Sequence, residues 1–178
     1  MKKNILIFGL ISGLIVSGLI SITAICYNKN DFEGNMVLGF TVMILAFVFV
    51  FVGIKNYRDK FNNGYITFGK ALQIGLSISF IASTMYVITW LIVYYNFMPN
   101  FMEVMTAQSI EKIKLNKELT SAEMTEQIAG INNMKDLYKS PIMVVLLTYT
   151  EIFPVGIVIT LISALILKRK QNKDLNFA

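Results

Sequence analysis

The chain alternates between long apolar runs and short polar breaks. Four runs approach the roughly 20 residues a helix needs to cross a hydrocarbon core with every backbone N–H and C=O bonded within the segment. They are 5–26, 36–54, 71–95 and 142–167, and the only charge inside any of them is Glu151. Between the third and fourth, residues 97–140 change character, with charges, Asn and a break at Pro99. The pattern predicts an all-α integral membrane four-helix bundle, one domain over 1–178, with an external helical segment between spans three and four.

Composition fits that pattern and changes it little. Hydrophobic residues make up 55% and charged residues 15% of 178, with mean hydropathy +0.61, outside the usual soluble balance. Lys2 and Lys3 before the first run raise the alternative of a signal peptide. The run outlasts a typical h-region of about 7–15 residues and offers no good small-x-small cleavage site, and Ile25 precedes Cys26 where a lipoprotein would carry a small residue. An uncleaved anchor is the expectation.

Charge then sets an orientation, because Lys and Arg near span ends are retained in the cytoplasm. Lys2, Lys3, Lys55, Arg58, Lys60, Lys70, Lys168, Arg169, Lys170 and Lys173 face only Asp59 and Asp174 on one side. On the other, Lys29, Lys112, Lys114, Lys117, Lys135 and Lys139 are outnumbered by Asp31, Glu33, Glu103, Glu111, Glu118, Glu123, Glu126 and Asp136. Both termini are expected in the cytoplasm of a bacterial inner membrane. The net charge of +5 then reflects topology and not nucleic-acid binding.

The stretch "YRDKFNNGYITFGKALQIG", residues 57–75, reads as the short turn between spans two and three. Asn62, Asn63 and Gly64 tolerate positive φ, and Tyr57, Phe61, Tyr65 and Phe68 suit an interfacial aromatic belt. Lys70, at the mouth of span three, can snorkel to water. The functional alternative is that Arg58, Lys60 and Lys70 contact a lipid headgroup or another anion. In the longer pattern "GIKNYRDKFNNGYITFGKALQIGLSISFIAS", together with "EIFPVG" in span four, the chain resembles a bacterial family of small four-span membrane proteins known only as a domain of unknown function, DUF4199. The resemblance covers most of the chain. It implies the same architecture and brings no catalytic residues.

Small residues recur every four positions: Gly9, Gly13, Ser17 and Ser21 in span one, and Ala71, Gly75, Ser79 and Ser83 in span three. Such faces let backbones approach closely where no hydrophobic force acts between helices, and they predict packing seams. Gly156, Thr160 and Ala164 form a weaker ladder in span four. In the external segment, 101–119 is rich in helix formers, and Thr120 with Glu123 predicts a capping box opening a second helix. Met124, Ile128, Ile131, Leu137 and Tyr138 make an apolar stripe. That stripe fits packing within a helical hairpin, against the membrane surface, or on a protein partner or second copy.

Glu151 is the most pointed residue, because a carboxylate within a span costs at least a few kcal/mol and commonly faces protein or a cavity. It lies about 14 Å below the start of span four. Pro154 follows and removes a backbone donor. Thr148, Tyr149, Thr150, Thr84, Tyr86 and Thr89 are candidate hydrogen-bond partners. A structural carboxyl and a proton, ion or substrate site both remain open.

Enzyme chemistry finds little foothold. The chain has no His and a lone Cys, and lacks a phosphate loop and a nucleophile elbow, so no catalytic, cofactor or metal residues are expected. Two readings follow: a non-enzymatic accessory or interaction subunit, or a small oligomeric transporter or channel using Glu151.

Overall fold

The computed structural model describes residues 1–27 and 36–170, with side chains from 1–22 and 40–170. Lys29, Asp31, Glu33, Lys173, Asp174 and the Cys26 side chain lie outside these described residues. The described residues form six helices: α1 Lys2–Tyr27, α2 Met36–Phe61, α3 Phe68–Asn96, α4 Phe101–Leu115, α5 Ser121–Leu137 and α6 Pro141–Leu167. α1, α2, α3 and α6 are each long and apolar enough to cross a membrane. The fold is all-α, a four-helix bundle of membrane type with the α4–α5 hairpin inserted between its third and fourth spanning helices.

Around the bundle the order is α1, α3, α6, α2, and each neighbouring pair packs. α3 runs parallel to α1, as the approach of Gly9 to Ile81 and of Gly13 to Met85 establishes. It runs antiparallel to α6, where Gly75 meets Thr160 and Ser79 meets Gly156. The core fills the space between: Phe47, Val50 and Ile54 of α2, Ile74, Ile78 and Ala82 of α3, and Ile152 of α6 are all fully buried. A second small cluster of Ile20, Val93 and Met98, with Tyr86, Trp90 and Phe101 against it, closes the end nearest the hairpin. The outward faces stay apolar: Leu14, Leu45, Ile88, Leu146 and Ile162 are exposed, as a lipid-facing surface requires.

Several polar side chains inside the bundle bond across it to backbone or to one another, while the buried Ser83 hydroxyl has no protein partner among the described residues. Asn4 Nδ2 donates to the Gly53 carbonyl at 2.9 Å, while Asn56 Nδ2 donates to Asn4 Oδ1 at 2.6 Å. The Ser12 hydroxyl donates to the Ala46 carbonyl at 2.9 Å. All three bonds clamp α1 to α2, and a buried donor left alone there would carry its desolvation cost.

The turn between α2 and α3 is shorter than its run of charges implies, because α2 stays helical through Lys55, Arg58 and Lys60 to Phe61. Only 62–67 turn, with Asn63 at φ 51° and Gly64 at φ 80° in the left-handed region that Asn and Gly tolerate. Thr67 then caps α3 by accepting from the Lys70 N–H at 3.4 Å. In the hairpin, α4 stops at Leu115, four residues before the end its composition predicts. Asn116 breaks it, its Oδ1 accepting from the Glu118 N–H at 3.0 Å in a local turn that competes with the helix. The Thr120–Glu123 capping box forms with both arms, the Thr120 N–H donating to Glu123 Oε2 at 2.8 Å.

Candidate functional sites

The two small-residue ladders meet different partners. Gly75, Ser79 and Ser83 of α3 are buried and face the α6 ladder, in which Gly156, Thr160 and Ala164 are also buried. A Cβ added at Gly75 would lie 2.5 Å from Thr160 Cγ2 and 3.0 Å from Ile54 Cδ1, and one at Gly156 would lie 2.9 Å from Ser79 Cβ. The Ser79 hydroxyl sits 3.1 Å from that of Thr160 and 3.3 Å from the Gly156 carbonyl oxygen. This is a close-packed seam with hydrogen bonds across it. The α1 ladder instead receives large side chains: Gly9 takes Ile81 and Gly13 takes Met85. It fades outward, with Ser17 half-buried and Ser21 exposed and donating to the Ser17 carbonyl.

Glu151 lies exposed on the half of α6 nearer the hairpin. Its neighbouring hydroxyls bond elsewhere. Thr148 Oγ1 donates to the Val144 carbonyl at 2.7 Å, Thr150 Oγ1 to the Leu146 carbonyl at 2.8 Å, and the Tyr149 hydroxyl pairs with Thr84 Oγ1 at 2.8 Å. Among the described residues no Lys or Arg forms an ion pair with it. Pro154, exposed one turn on, has no N–H for the Thr150 carbonyl. Outside the spans, Tyr138 feels Glu151: its phenol is pushed up first by burial and then by the Glu151 charge. Tyr138 stacks edge-on against Tyr94 at 5.8 Å, and Tyr94 and Trp90 both pack edge-on against Phe101, forming an aromatic collar where the hairpin joins the bundle.

Between its two helices the hairpin holds an open groove of about 460 Å³. Met102, Met105 and Ile113 of α4 and Ile131 and Met134 of α5 line it, with Thr106 and Gln127 among the few polar contributors. Thr106 is the only buried residue of the two helices. The predicted stripe of Met124, Ile128, Ile131, Leu137 and Tyr138 is half-buried throughout; within it Ile131 lines the space facing α4, and Tyr138 packs on Tyr94 of α3.

At the opposite end the structure gathers residues far apart in sequence. Arg58 holds Asp59 through two bonds, Nε to Oδ1 at 2.6 Å and Nη2 to Oδ2 at 3.2 Å. Lys60 is exposed, and Lys70 is half-buried with Nζ donating to Gln73 Oε1 at 3.2 Å. Arg169 joins them unexpectedly. Its N–H donates to the Ile66 carbonyl at 2.9 Å, and the Ile66 N–H donates to the Arg169 carbonyl at 3.1 Å. Nothing in the local sequence signals this two-bond clasp, since Ile66 and Arg169 meet only because α3 and α6 end side by side.

Among the described residues, no group of three or more His, Cys, Asp or Glu side chains is arranged to hold a metal. No curated protein and no solved structure matches the chain. The family model described as Protein of unknown function (DUF4199) matches residues 6–169, nearly the whole chain, and the protein belongs to that family.

Proposed function

We propose that this protein is a non-enzymatic accessory subunit of a bacterial inner membrane, recruiting a protein partner through its α4–α5 hairpin. One observation carries the reading: the hairpin is poorly buried. α5 has no buried residue and α4 has only Thr106, whereas Val104, Met105, Leu115 and Met134 are exposed on a segment already ordered by a capping box. Exposed apolar side chains rimmed by charge are the usual mark of a binding surface. Charge favours a protein over the bilayer as that partner: residues 97–140 carry six carboxylates to five lysines, a balance with no attraction for anionic lipid.

The transport reading rests on Glu151 alone. Thr148 and Val155 flank it at helical spacing, so the polar alignment along its face is partial and soon becomes apolar. The basic end, where the first residues and residues 167–170 lie together, is the end we assign to the cytoplasm. A carboxy-terminal reporter active only outside the cytoplasm would reject that orientation.

Native mass spectrometry of the complex, extracted from its own membrane in a lipid-preserving particle, tests the function. A second polypeptide that is lost when Met105 and Met134 are replaced by Glu is the expected result. A closed homo-oligomer without a second polypeptide overturns the reading and favours transport, with Glu151→Gln as the next variant.

A further inference from the structure

The geometry points to an anionic phospholipid site at the basic end of the bundle, built where the α2–α3 turn is clasped to residues 168–170. The observation is a concentration of positive charge that the fold enforces and does not neutralise. Lys2, Lys3, Lys55, Arg58, Lys60, Lys70, Lys168, Arg169 and Lys170 share this end, and Asp59 is its only carboxylate among the described residues. Arg58 already engages Asp59 in a two-bond pair, and the charges of Lys55 and Arg169 reach that same carboxylate.

Two features turn this from a scatter of surface lysines into a site. The Ile66–Arg169 clasp is made by backbone alone, so it fixes the basic triplet 168–170 against the turn while leaving its side chains unspent. The Arg58 guanidinium also reaches the Leu167 carbonyl, with Nη1 at 3.5 Å, which ties α2 to the same exit from α6. Like charges gathered at one end of the bundle repel one another, and an anion placed among them relieves that repulsion. A phosphate group accepts from several N–H donors at once, and guanidinium groups suit it particularly well.

Depth and surroundings select a lipid over a free anion. Phe61 is exposed at 60% beside Arg58 and Lys60, and Tyr57 stacks on it at 6.1 Å, an aromatic pair of the kind that rests at the headgroup level. Below the cations, the exposed Val52, Leu165 and Ile166 offer an apolar flank to acyl chains. The ligand is therefore an amphiphile, a phosphate-bearing head on an apolar tail. This inference is independent of the hairpin and of any protein partner.

The test uses the full chain in nanodiscs of equimolar phosphatidylcholine and phosphatidylglycerol, released into the gas phase and weighed with its retained lipids. Wild type is expected to retain phosphatidylglycerol in excess. Arg169→Gln keeps the backbone clasp and should reduce that excess roughly fivefold, the triple Lys168→Gln, Arg169→Gln, Lys170→Gln variant should abolish it, and Lys112→Gln, Lys114→Gln, Lys117→Gln on the hairpin should leave it intact. Equal retention of the two lipids by wild type, or equal loss in the basic-end and hairpin variants, overturns the site. Displacement of the lipid by millimolar inorganic phosphate, with phosphate itself then retained, would assign the cluster to a free anion and equally overturn it. A circular dichroism melt matching wild type establishes that Arg169→Gln is folded.

Discussion

The bundle and the hairpin are both made of helices, yet glycine means opposite things in them. In the bundle, Gly75 and Gly156 are places where a neighbouring helix has come too close for a Cβ. In the hairpin, Gly130 has nothing within 4 Å and sits exposed in the middle of α5. The first kind of glycine is a packing device, gaining van der Waals contact that replaces the hydrophobic force missing between helices in lipid. The second only weakens its helix. The difference separates a part of the molecule specified by its own contacts from one that leaves its apolar side chains half-covered.

Substitutions at these glycines break the comparison most sharply. Gly75→Leu forces side-chain atoms into Thr160 and Ile54, and we expect a loss of about 1–3 kcal/mol in the stability of the whole bundle, read as a lowered melting temperature in detergent. An unchanged melt would mean that the α3–α6 seam yields without cost. Thr120→Ala removes one arm of the capping box and should cost about 1 kcal/mol. That loss should appear only as faster hydrogen exchange in α5, with the bundle amides unaffected. Gly130→Ala goes the other way: with open space around it, the substitution should stabilise α5 by about 0.8–1.0 kcal/mol and slow exchange there. Exchange that quickened instead would show that the backbone at 130 needs glycine for a contact with a partner.

The smallest effect is that of acid. The Thr120 N–H and hydroxyl both donate to the Glu123 carboxylate and hold its pKa below the ordinary value, the backbone bond contributing most. A lowered folded-state pKa means the carboxylate adds stability at neutral pH. That contribution shrinks as pH falls below the unfolded value and is gone below the lowered folded one. Exchange in the first turn of α5 should therefore quicken over that acidic window, and Glu123→Gln should remove the pH dependence. Asp136, held low by Lys139 at 2.7 Å, behaves the same way at the other end of α5.

Much of this architecture is written in local pattern. Apolar runs long enough to satisfy their own backbone in lipid define four helices without reference to anything distant, and Thr120 with Glu123 announces the start of α5 because a capping box is a four-residue interaction. Small residues at every fourth position likewise mark faces that must pack. Glu151 and the basic residues were also visible, since charge is conspicuous against an apolar background.

What the pattern could not say is which face meets which. Two ladders of similar spacing in α1 and α3 invite pairing with each other, yet Gly9 and Gly13 receive Ile81 and Met85, and the α3 ladder turns to α6. Asn4, unremarkable near the start of an apolar run, becomes a link between α1 and α2 only because Gly53 and Asn56 arrive beside it. Arg169 reads as one more cation until its backbone is clasped to Ile66. Helix formation depends on residues a turn apart, so sequence alone determines it. The choice among seams depends on how four whole surfaces fit together at once, and only the tertiary structure decides that.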